Sequence, residues 1–121
     1  MPTEDLRIET SAENGGETLL FRLSGSLDVA TSAQMKQALA QAATEGHGDV
    51  VVDLTRVEFL DSTGLGALIG AHRRALEAGG RVGLIVKEGP ISRLLAITGL
   101  SRVFTLYSSL GDALGHIAAV E

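Results

Sequence analysis

The chain has 121 residues and a formal net charge of −5, with 45% hydrophobic and 21% charged residues, so it is long enough to bury its own core and too apolar to be disordered. The acidic balance argues against a nucleic-acid binder, which needs clustered Lys and Arg to displace phosphate counterions; the nearest basic cluster, His72-Arg73-Arg74, is expected to be a solvated helix face. The absence of cysteine excludes disulfides, thiolate chemistry and zinc knuckles, and it fits a reducing cytoplasm. Only 3% of the residues are aromatic, so the core is expected to rest on Leu, Val, Ile and Ala.

The first residues, Met1-Pro2-Thr3-Glu4-Asp5, are polar and acidic and do not read as a signal peptide. No apolar run approaches the roughly 18 to 20 residues that cross a bilayer, and no membrane insertion is expected. Residues 6–10 alternate apolar and polar. Residues 17–23 place Leu19, Phe21 and Leu23 in step, and Asn14-Gly15-Gly16 between them is a turn signal, so the pair reads as an antiparallel hairpin. Thr31 opens a helix in which Met35, Ala38, Leu39 and Ala42 share a face; Thr31 with Gln34 fits a capping box, and Gly46-His47-Gly48 is the expected stop. The strand at 49–54 contains a Val triplet without alternation, the pattern of a strand buried on both faces of a parallel sheet.

The next helix is expected from about Ser62 to Ala78, with Leu65, Leu68, Ile69, His72 and Leu76 inward and Gly79-Gly80 at its end. A buried strand follows at 81–86. Gly89-Pro90 opens a short helix that turns Ile91, Leu94, Leu95 and Thr98 inward and closes at Gly99. The last strand is expected at 103–107. The last helix is capped by Ser109 and has Leu110, Leu114 and Ile117 on its apolar side. The order β-β-α-β-α-β-α-β-α predicts an α/β fold: one domain over 1–121, with its core about 6–118, a mostly parallel sheet led by the hairpin, and about four helices.

In open α/β sheets, sites lie beyond the carboxyl ends of strands. Two loops there carry unusual chemistry: Gly25-Ser26-Leu27-Asp28, and Leu60-Asp61-Ser62-Thr63-Gly64-Leu65-Gly66. The second places a hydroxyl and two glycines at a helix start, where unpaired backbone N–H groups and the dipole favour negative charge. A phosphate on Ser62, bringing about −1.5 to −2 charges, would meet those donors, and the glycines would leave room for a partner's backbone. The structural reading is that Asp61 or Ser62 serves only as an N-cap. Gly64, Gly66 and Gly70, followed by Glu88, superficially resemble a dinucleotide fingerprint, but the spacing is GxGxxxG and Asp61 would face the pyrophosphate, so no cofactor is expected. His47, His72 and His116 have no ligand spacing, and His72 reads as a core or border residue. Neither Ser26 nor Ser62 has a nearby base. No metal site and no catalytic constellation is expected, so the chain does not read as an enzyme.

At Asp61-Ser62-Thr63-Gly64-Leu65-Gly66 the sequence resembles the STAS family, in particular the stand-alone bacterial anti-sigma factor antagonists. Leu23-Ser24-Gly25-Ser26-Leu27-Asp28 looks like that family's L-x-G-x-L-D segment. Val51-Val52-Asp53-Leu54 with Phe59 to Gly64 looks like its V-x-D-L…F-x-D-S-[ST]-G core, and Thr98-Gly99-Leu100 with Phe104 matches its late signature. The resemblance covers roughly residues 6–118. It implies binding to an anti-sigma factor, usually a GHKL-type serine kinase, with release of the sigma factor for transcription. It also implies phosphorylation at Ser62 that abolishes binding, and a serine phosphatase that restores it. The partner-facing positions implied are Asp28, Asp61, Thr63, Gly64 and Leu65, and Thr63 is a second hydroxyl that competes as phosphosite. Two other functions compete: a STAS subunit of a transport or stress-signalling complex that docks a protein constitutively, and a nucleotide-binding enzyme that uses the glycine turn.

Overall fold

The computed structural model describes residues 5–44 and 49–120. Gly46-His47-Gly48, the expected end of the first helix, lies outside them. Five strands, β1 (Arg7–Glu13), β2 (Thr18–Leu27), β3 (Asp49–Leu60), β4 (Arg81–Ile85) and β5 (Thr105–Tyr107), form one sheet in sequence order, with β1 antiparallel to β2 and the others parallel. Four helices, α1 (Ser32–Thr44), α2 (Ser62–Glu77), α3 (Pro90–Ile97) and α4 (Leu110–Val120), alternate with the parallel strands as expected. None of the described helices is long and apolar enough to cross a membrane. The hairpin turn is a 3-10 turn at Asn14–Gly16, with φ 50° at Asn14 and φ 69° and 95° at the two glycines.

The sheet is packed on both faces. Val50 and Val52 join Leu19, Phe21, Leu23, Val82 and Leu84 against α1 and α2, with Leu95 of α3 in the same cluster. Val51 points the other way, to Leu20, Ile85 and Tyr107 under Ala113 and Ile117 of α4. The Val triplet therefore lacks alternation because each face of β3 has its own helix layer.

Several boundaries differ from the sequence expectation. Strand β3 runs to Leu60 rather than residue 54; beyond Asp53 it pairs only with β2, so polar residues there meet water instead of a second strand. Strand β2 likewise runs to Leu27, through register shifts at Arg22/Ser24 and Gly25/Ser26 that break its alternation. Gly25 sits at φ 101°, and a Cβ there would lie 2.2 Å from the Asp5 carbonyl oxygen, so the segment admits only glycine. Residues 100–102 form a 3-10 turn, which shortens β5 to start at Thr105 and leaves Val103 exposed.

Two residues expected inward face solvent. Leu76 is exposed because the buried stripe of α2 runs through Gly64, Leu68, Ala71 and Ala75. Thr98 is exposed and donates its hydroxyl to the Leu94 carbonyl, which closes α3. The capping box of Thr31 and Gln34 does not form: Gln34 Nε2 donates to the Leu6 carbonyl instead. The cap of Ser109 on the Asp112 N–H is present, while Leu114 is half-buried and Ala113 takes the inward position.

Candidate functional site

Strands β2 and β3 end at the same level. Leu27 and Leu60 are the last paired residues of the two strands, and the Asp61 N–H donates to the Leu27 carbonyl at 3.2 Å. The loop leaving β2 and the turn leaving β3 therefore emerge side by side at the carboxyl edge of the sheet, which brings Asp28 and Asp61 to one rim.

Asp61 is the N-cap of α2. Its backbone is extended (φ −105°, ψ −177°), Oδ1 accepts the Gly64 N–H at 2.9 Å, and its carbonyl accepts the Leu65 N–H at 2.9 Å. Oδ2 accepts the Val29 N–H at 3.3 Å, so one carboxylate caps the helix and ties down the neighbouring loop. Ser62 is the first helical residue. It is exposed, and its hydroxyl has no hydrogen-bond partner among the described residues. The choice of N-cap that the sequence leaves open thus falls to Asp61. Thr63 is half-buried beside Ser62.

Gly64 and Gly66 differ sharply. A Cβ on Gly64 would lie 2.5 Å from the Leu27 carbonyl oxygen and 2.9 Å from side-chain atoms of Leu27 and Leu60, so this glycine lets the helix start pack onto the strand ends. Gly66 is exposed with open space around it. The room expected for a partner's backbone exists at Gly66; Gly64 is buried beneath the turn, and Leu65 is buried in the core.

Asp28 organises the other loop. Its Oδ1 accepts the Ala30 N–H at 2.9 Å and the Thr31 N–H at 3.1 Å. Thr31, which the sequence reading places only as a helix cap, is a buried brace: its hydroxyl accepts the Asp28 N–H at 3.0 Å and donates to the Ser26 carbonyl at 2.7 Å. Val29, between the two aspartates, is 73% exposed, and Phe59 before the turn is also exposed. An apolar Val directly after Asp28, where a loop residue is ordinarily polar, is the signal in the sequence that could have marked it.

The histidines lie elsewhere. His72 packs against Phe104 with ring centroids 5.1 Å apart and the rings tilted by 58°, its Nδ1 is buried without a partner, and burial lowers its pKa. His116 Nδ1 is hydrogen-bonded to the Tyr107 hydroxyl, whose pKa burial raises. His47 lies outside the described residues. An open groove of about 930 Å³ lies between the carboxyl halves of β2 and β3 and the start of α3, lined by Arg7, Arg56, Lys87, Asp5 and Glu58 among others, and no residue of the Asp61 to Gly66 turn borders it.

Similar proteins match this chain over nearly their whole length. An anti-sigma F factor antagonist of Paenibacillus polymyxa is 30% identical over 118 residues, 97% of this chain and 99% of that protein. An anti-sigma-F factor antagonist of Mycobacterium tuberculosis is 29% identical over 114 residues, 94% of this chain and 92% of that one. The crystal structure of an anti-sigma factor antagonist from Mycobacterium paratuberculosis superposes with a TM-score of 0.85 at 27% identity, covering 94% of this chain and 95% of that one. The STAS domain model matches residues 9–113, a span that opens inside β1, closes inside α4 and takes in both rim loops; the chain belongs to the STAS domain family.

Proposed function

We propose that this chain is an anti-sigma factor antagonist whose docking rim is switched off by phosphorylation of Ser62. In this reading the rim of Asp28, Asp61 and Thr63, with Val29 as its apolar contact, binds an anti-sigma factor that is a GHKL-type serine kinase and so frees its sigma factor. Gly64 and Leu65 support the rim from below. A serine phosphatase restores the binding form.

The observation that carries the reading is the division of labour at the helix start. Asp61 takes the capping role, which leaves the Ser62 hydroxyl exposed and unengaged, and therefore open to a kinase. The names of the relatives point to the same partner class.

Electrostatics gives the switch its sign. A phosphate about 6 Å from one aspartate repels it by about 0.7 kcal/mol per unit-charge pair in water and nearer 3 kcal/mol at an effective dielectric of about 20. The first N–H groups of α2 offset part of this within the free domain. In a closed interface the added charge must also be desolvated, so phosphorylation acts on docking with little refolding.

The test measures binding of the cognate anti-sigma factor to the plain and the kinase-treated protein by calorimetry, with phosphosite mapping by mass spectrometry. Phosphorylation is expected to weaken binding by at least about a hundredfold. Ser62→Ala is expected to bind without accepting label, and Thr63→Ala to be labelled like the parent. Equal binding by the two forms overturns the switch, and strong label on Thr63 in Ser62→Ala overturns the site.

A further inference from the structure

Strand β1 is the long free edge of the sheet; the opposite edge, β5, has three residues. Edge strands expose main-chain donors and acceptors that can template pairing with another chain. Natural edges are blunted by proline, by charged side chains or by a bulge; β1, Arg-Ile-Glu-Thr-Ser-Ala-Glu, has no proline and no bulge, the register shifts of this sheet lying between β2 and β3, and its three charges are of both signs. The side chain of Gln34 covers the Leu6 carbonyl just before the strand begins.

The charges along this edge are complementary to the same edge read backwards. An antiparallel pairing of two copies about Thr10 places Arg7 opposite Glu13, Ile8 opposite Ala12 and Glu9 opposite Ser11, so all seven residues pair and no like charges meet. A slip by two residues in one direction sets Glu9 opposite Glu9, in the other Glu9 opposite Glu13, and a parallel pairing sets Arg7 opposite Arg7. Register and orientation are therefore specified by repulsion as well as attraction. We infer that β1 is a docking edge for a second copy of this chain, joined by a two-fold axis through Thr10 into a continuous ten-stranded sheet. The pairing is weak and reversible, since exposed cross-strand ion pairs contribute little each.

Sedimentation of the full chain across micromolar to millimolar concentration is expected to show a reversible dimer. Arg7→Glu and Glu13→Arg each turn two symmetric attractive pairs repulsive and are expected to weaken the dimer about tenfold, while the double charge swap restores it to within about threefold. Because the chain has no cysteine, a single introduced thiol reports geometry directly. Thr10→Cys sits on the axis and is expected to form a disulfide-linked dimer, whereas Ala12→Cys, about 14 Å from its mate, is expected to stay monomeric on oxidation. A monomer at all concentrations overturns the inference. So does a double swap no tighter than the single variants, or equal cross-linking at the two positions.

Discussion

The two glycines of the β3–α2 turn look alike in the sequence and have opposite roles in the fold. Replacing Gly64 by alanine drives a Cβ to 2.5 Å from the Leu27 carbonyl oxygen, and because that atom belongs to the β2 backbone, it cannot swing aside. Replacing Gly66 places a methyl in open space on an exposed helical position, where alanine is the better helix former. Gly64→Ala is therefore expected to destabilise the fold by about 2 to 3 kcal/mol, and Gly66→Ala to stabilise it by about 0.5 to 1 kcal/mol. Urea denaturation of both variants checks the pair of signs; destabilisation by Gly66→Ala, or neutrality of Gly64→Ala, contradicts the packing account. The residue-scale reading of the site was legible in part. Asp28, Asp61 and Ser62 stand out by residue type at strand ends. What the sequence leaves undetermined is which of Asp61 and Ser62 caps the helix, because that depends on the pairing of Leu27 with Leu60, a contact between residues 33 positions apart that holds Asp61 extended.

At the scale of elements, strand and helix identity followed from periodicity, while boundaries and inward faces did not. The carboxyl halves of β2 and β3 lack clean alternation because they pair with each other across two register shifts, one of them at Gly25. The inward face of α2 was misassigned at Leu76 because alanines, not leucines, make its last contacts. A similar small-for-large match holds α4 on the other face. A Cβ on Gly83 in β4 would sit 2.7 Å from Cε2 and 3.4 Å from Cδ2 of Tyr107, so one edge of the tyrosine ring of β5 closes on the glycine, and its hydroxyl reaches His116 on α4. Nothing in the local sequence of Gly83 announces this, since its partner lies two elements away. Gly83→Ala is expected to destabilise the protein by about 1 to 3 kcal/mol. In a Tyr107→Val background the clash has no ring to meet, and the same substitution is expected to change stability by less than about 0.5 kcal/mol. Chemical denaturation of the four proteins closes the cycle, and an equal penalty in both backgrounds excludes the ring as the cause.

For the molecule as a whole, His72 links folding to pH. It lies between α2 and the turn before β5, packed against Phe104 with the two rings tilted, and its Nδ1 is buried and unpartnered. Burial disfavours its charged form, so the folded-state pKa lies below the ordinary value of 6.5. The sign follows from proton linkage. Well above 6.5, beyond about pH 7.5, the imidazole is neutral in both states and contributes no pH dependence. As pH falls through 6.5 the unfolded chain takes up a proton that the folded state resists, so the unfolded state gains stability until the folded state titrates as well. Stability is thus expected to fall as pH drops from about 7.5 to about 5.5. Other groups of the parent also titrate in this window, so its slope alone does not isolate His72. The comparison with His72→Gln does, because glutamine keeps a polar side chain without a titrating proton. Thermal melts at intervals across this window are expected to show a flatter dependence in His72→Gln than in the parent. The contacts of Phe104 that remain then set the pH-independent difference between the two curves, and parallel curves would mean that the buried imidazole takes up its proton as readily folded as unfolded.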